Sequence, residues 1–72
     1  MLELDAQVVY EPIEGGIWGL ASEEGGLFRP INGLPHAMRK EGLPVHVQMK
    51  PIMAPSFAMW GRSVELLSIE QR

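Results

Sequence analysis

From Leu2 to Tyr10 the chain alternates, with Leu2, Leu4, Ala6, Val8 and Tyr10 on one side and Glu3, Asp5, Gln7 and Val9 on the other. A repeat of two is the pattern of a strand that buries one face. Glu11-Pro12 ends it, because proline has no N–H to give to a ladder. A second run, Gly16 to Ser22, sets Ile17, Gly19 and Ala21 against Trp18 and Leu20. Turning Ile17 and Gly19 inward places Trp18 on the outer face. Gly15-Gly16 predicts a bend at entry, and Gly19 within the run predicts close approach of another backbone. Glu23-Glu24-Gly25-Gly26 reads as a hairpin turn. Leu27 to Ile31 then forms a short third strand, with Pro30 as a candidate break, so residues 16–31 make a hairpin.

Asn32 to Gly42 has a different grammar. Pro35 suits the first turn of a helix, Arg39 and Lys40 suit the last turn, and Gly42 suits the position beyond it. The segment predicts one or two helical turns over residues 35–41, with Leu34 and Met38 closing one end of the core. Strand alternation returns at Val45 to Lys50, where Val45, Val47 and Met49 face one way and His46, Gln48 and Lys50 the other. Residues 51–56 form a loop rich in apolar residues. The last strand region, 57–70, is interrupted by Gly61. Its apolar phase slips between Leu66 and Leu67, which predicts a bulge. Strand, hairpin, short helix, strand, strand is the order of a mainly β, five-stranded OB-like barrel with one short helix between strands 3 and 4. An SH3-like barrel is the alternative. The 72 residues form a single domain.

Composition narrows the function classes. A chain this short has a thin core, and with no cysteine it has no disulfide or thiolate metal site to reinforce it. Self-association, including a homodimer, is one way to compensate. The net charge is −3, and the basic residues Arg29, Arg39, Lys40, Lys50, Arg62 and Arg72 are scattered. Nucleic acid is therefore a disfavoured partner. Neither a signal peptide nor a membrane span is legible, and a cytoplasmic protein is expected.

No constellation resembles a catalytic centre, so a non-enzyme is expected. His36 and His46 lie near no nucleophile elbow. Glu23-Glu24 reads as a solvated turn, and Glu3 and Asp5 as like charges repelling on one water-facing side. The glycine pairs lack the spacing and the Lys-Ser/Thr of a phosphate loop. No cofactor is expected. The alternative is a small-ligand or Cu(I) carrier, since His46, Met49, Met53 and Met59 beside Trp60 form a thioether–imidazole set of the kind that suits soft Cu(I). Strand alternation sets His46 and Met49 on opposite faces. The aromatic and apolar residues favour binding over chemistry. Trp18, Ile52, Met53, Phe57 and Trp60 are the candidate contact surface, for a protein partner or a second copy of the chain. Single-stranded nucleic acid on the barrel face, with Arg29, Lys50 and Arg62 beside the aromatics, is a further alternative.

Five segments together carry a resemblance. They are Glu14-Gly15-Gly16-Ile17-Trp18-Gly19-Leu20, Arg29-Pro30-Ile31-Asn32-Gly33-Leu34-Pro35, Glu41-Gly42-Leu43-Pro44-Val45, Met59-Trp60-Gly61 and Val64-Glu65-Leu66-Leu67-Ser68-Ile69. From about Val8 to Ile69 the chain resembles a group of small uncharacterised prokaryotic β-barrel proteins. It departs from their pattern by inserting Gly33 into the Asn-Leu-Pro step and by carrying Trp18 in place of a tyrosine. The resemblance implies a barrel-like domain with no assigned activity and brings no catalytic residue with it.

Overall fold

The computed structural model describes residues 1–13, 15–52 and 60–72. Five strands follow in order: β1 (Leu2–Glu11), β2 (Ile17–Ser22), β3 (Gly26–Pro30), β4 (Pro44–Pro51) and β5 (Arg62–Gln71). They close into a barrel of order β1-β2-β3-β5-β4, the small OB-like arrangement expected. Strand β1 is long enough to serve two neighbours. Its first half, Leu2 to Gln7, pairs with β4, and its second half, Gln7 to Glu11, pairs with β2. Closure comes from β3 and β5, which run parallel through Phe28 to Pro30 and Arg62 to Val64.

The alternation of β1 and β4 supplies the core. Ala6, Val8, Val45, Val47 and Met49 meet Leu20, Phe28, Leu34 and Val64 inside the barrel. Among the described residues no polar or charged side chain is buried. The predicted bulge falls at Leu67, since Gln48 stands opposite Ser68 while the next residue, Met49, stands opposite Leu66. The extra residue resets the phase. Leu66 and Ile69, three apart, both pack against the core, and Leu67 turns outward.

The structure corrects two expectations. The faces of β2 are reversed: Val8 pairs with Leu20 and Tyr10 with Trp18, so Leu20 and Trp18 share the inner face with Val8. Gly19 lies on the outer side and is nevertheless buried, because the Trp60 ring covers it. Burial on both sides of β2 removes the contrast on which a reading by alternation depends. The second correction concerns the helix, which shrinks to a single 3-10 turn, His36–Met38. Pro35 before it is extended, with ψ 140°, and no side chain caps the turn. Beyond it the backbone is claimed by β1, where Gly42 N–H donates to Val8 C=O at 2.7 Å and Val8 N–H to Leu43 C=O at 2.9 Å. Too few residues remain for a second turn. Leu34 is buried in the core as expected, and Met38 is half-buried.

Asn32 holds this connection to the barrel. Its Nδ2 donates to Leu66 C=O, and its Oδ1 accepts from Leu66 N–H, each at 3.0 Å. One side chain thus imitates a strand residue and extends the β3–β5 seam beyond Ile31, whose N–H donates to Val64 C=O.

Candidate binding groove

The β2–β3 ladder covers Leu20 to Ser22 against Gly26 to Phe28. In the same register Pro30 would stand opposite Trp18, and proline has no N–H to offer. Here β3 parts from β2 and goes to β5. A groove of about 400 Å³ opens in the gap, lined by Ile17 and Trp18 on one side, Arg29 to Ile31 on the other, and Leu34, Arg39 and Ser63.

Apolar and polar surface share its walls, and Trp18 supplies the aromatic ring. Trp18 packs against Tyr10 with ring centroids 4.9 Å apart and planes at 53°. Tyr10 in turn lies over Gly16, where a Cβ would meet the phenol ring, at a backbone φ of 106° that favours glycine. Ile31 projects at the rim, 60 % exposed, and Tyr10 and Ile13 are also open to solvent. Two cations line the same opening. Arg39 is fixed there because its Nε donates to Leu34 C=O at 3.1 Å. Arg29 enters from β3.

Of the residues expected to form the contact surface, Trp18 lines the groove. Trp60 lies beside it, against Gly19 and therefore on the opposite face of β2. Ile52 is half-buried, and its N–H donates to Ser63 C=O at 3.2 Å. Met53 and Phe57 lie outside the described residues. The sequence also passed over Ile31 and Arg39, which the groove brings together with Trp18. Ile31 read as the end of a strand and Arg39 as a helix-terminal charge.

The alternative metal set divides as alternation implied. Met49 is wholly buried in the core, while His46 faces outward with both ring nitrogens engaged. Met59 lies outside the described residues, as Met53 does. Among the described residues no group of three His, Cys, Asp or Glu side chains is arranged to hold a metal ion. Of the three cations required for a nucleic-acid face, Arg29 lines the groove, Lys50 is exposed on β4, and Arg62 sits 5.8 Å from the Phe28 ring centroid.

Strand pairing assembles a second polar cluster on the outer face of β1, β4 and β5. Asp5 stands opposite His46, and Glu3 opposite Gln48. His46 Nδ1 lies 2.7 Å from Asp5 Oδ1, and Nε2 lies 3.0 Å from Glu3 Oε2. Gln48 donates to the same Glu3 oxygen, and Ser68 Oγ donates to Gln48 Oε1. Arg72 reaches within 3.8 Å of Asp5. The two carboxylates read from sequence as a repelling pair in fact grip the imidazole from either side.

With a carboxylate oxygen at each ring nitrogen, the doubly protonated ring donates twice, whereas a neutral ring would turn a lone pair toward an anion. Hydrogen bonds to Glu3 and then Asp5 raise the His46 pKa above its ordinary value. The bond from His46 lowers both carboxyls, helped at Glu3 by Gln48. Neither ring nitrogen is left to act as a base toward a substrate, and Ser68 is bonded to Gln48. The cluster is an electrostatic clasp across three strands.

No family model, curated protein or solved structure matches the chain. Among the described residues no helix is long and apolar enough to cross a membrane.

Proposed function

We propose that this barrel is a non-catalytic association module that binds a protein partner at the groove between β2 and β3. One observation carries the reading: the ladder stops at Pro30, and Trp18, Tyr10 and Ile31 gather as solvent-accessible apolar groups around the gap. Half-open aromatics beside a cleft are what an anchor residue fits, and fully desolvated aromatic contacts dominate association energies. The thin core of a 72-residue chain is consistent with a domain that gains stability from a partner.

A photo-cross-linking side chain at Ile31 tests the reading. A discrete, heavier adduct is expected from position 31 and none from the exposed Lys50 on β4. The adduct's mass separates a second copy from a different protein. Equal labelling at both positions, or no adduct at position 31, would remove the proposal.

A further inference from the structure

The groove offers a partner backbone hydrogen bonds as well as side chains. Opposed residues of an antiparallel pair alternate between pairs that exchange N–H to C=O bonds and pairs that do not. Val8 donates to Leu43 C=O and accepts from Gly42 N–H, so its backbone turns away from its β2 partner Leu20. The bonded pairs of β1 and β2 are therefore Gln7 with Ala21, Val9 with Gly19 and Glu11 with Ile17. The N–H and C=O of Leu20 and Trp18 then face the other edge of β2. Leu20 meets Phe28 of β3 there, and the ladder ends before Trp18, whose opposite position falls to Pro30. Proline has no N–H, and the Pro30 C=O accepts from Gly33 N–H at 3.2 Å. Trp18 thus turns one backbone donor and one acceptor toward the groove, and no described strand lies beside them.

Arg39 sets the charge at this edge. It is exposed, and its Nε is held by Leu34 C=O, so its terminal nitrogens stand at the opening with no carboxylate partner among the described residues. Arg29 already has a partner, so the charge on offer is that of Arg39. A strand edge beside a guanidinium fits an extended peptide, whose main chain bonds the edge while a carboxylate meets the arginine. The described carboxylates of this chain supply no such segment. They lie in strands already laddered to their neighbours, or in turns.

We infer that the occupant is an extended, acidic segment of another protein, which adds to β2 as a short strand in the place that β3 vacates. This inference rests on the groove being the association surface. The peptide residue opposite Trp18 donates to Trp18 C=O and accepts from Trp18 N–H, and a nearby Asp or Glu meets Arg39. Side chains of the added strand alternate between the Trp18 face and the Trp60 face of β2. Strand addition therefore makes the peptide's own amides matter at every second position, which a docked helix or a folded surface does not.

Random linear peptides displayed on phage and panned on the whole chain test the idea, with the tightest binder synthesised as the probe. The probe should carry Asp or Glu and should slow exchange of the Trp18 amide by at least about tenfold. N-methylation of its amides one at a time should weaken binding at least about tenfold at the residue opposite Trp18, and little at the residues on either side. Arg39→Gln should weaken the probe by about two- to fivefold, and should leave unchanged a version of the probe with Asn or Gln in place of its acid. Circular dichroism keeps misfolding of the variant apart from lost contact. A panning that retains no peptide overturns the inference, as do an unmoved Trp18 amide, N-methyl effects without alternation, or a probe indifferent to Arg39→Gln. An adduct from the cross-linker at Ile31 with the Trp18 amide unmoved, or with a second copy as the partner, removes strand addition by another protein and leaves the association reading standing. Absence of any adduct removes both.

Discussion

At the scale of single residues, Asn32 and His46 each do work that their local sequence does not announce. Asn32 reads as a turn residue, but its amide serves both backbone groups of Leu66. Asn32→Ala removes two hydrogen bonds and should cost about 1–3 kcal/mol in denaturant unfolding. Asn32→Asp, which retains the acceptor but loses the donor, should fall between. For His46 the sign follows from the protonation states. Its raised pKa makes its contribution complete below the ordinary imidazole value of 6.5, and the contribution is lost as pH rises through the raised value. Glu3 and Asp5 are lowered from 4.5 and 3.8, so their contributions are complete above those values and vanish as pH falls through the lowered ones. The clasp is therefore whole between pH 4.5 and 6.5. Glu70, opposite His46 on β5, and Arg72, near Asp5, are the other charges beside it. The unfolding midpoint should decline on both sides of that window, and His46→Gln should flatten the alkaline limb. In proton NMR, Glu3→Gln should shift the His46 titration to lower pH. An unmoved titration would mean that the clasp is not formed in solution.

At the scale of elements, strands read well wherever burial is one-sided. β1 and β4 alternate cleanly, and the glycine turn between β2 and β3 marked the hairpin. The bulge was legible because Leu66 and Ile69 cannot both face inward without it. Deleting Leu67 should therefore be tolerated, because it leaves Leu66 and Ile69 two positions apart and both facing inward in a regular ladder. A sharp thermal transition retained by the deletion variant would show this. β2 misled because Gly19 hides beneath Trp60. A methyl at Gly19 would meet that ring and approach Phe28 C=O to 2.9 Å. Gly19→Ala should cost about 1–3 kcal/mol and alter tryptophan fluorescence as Trp60 is displaced. The expected helix failed for a different reason. Its proline and glycine signals were real, but β1 takes residues 42 and 43 by hydrogen bonds that only a distant strand could provide.

At the scale of the whole molecule, the barrel wall opens where β3 exchanges β2 for β5. Aromatic and cationic groups line this opening, and it is the surface proposed for association. Leu34 plugs the core beside it and lines its floor. Leu34→Ala should cost about 2–5 kcal/mol in unfolding, while the backbone carbonyl that fixes Arg39 is retained. The sequence by itself determined the strands, the hairpin, the bulge and the number of elements, since these follow from which residues shun water and which refuse a ladder. Proline at position 30 even dictated where the β2–β3 pairing must stop. Tertiary structure alone decided which face of β2 is inner, that Glu3 and Asp5 close on His46, and that Trp18, Ile31 and Arg39 share one opening. Each of these depends on register between strands far apart in the chain, and alternation within one strand carries no information about the partner laid beside it.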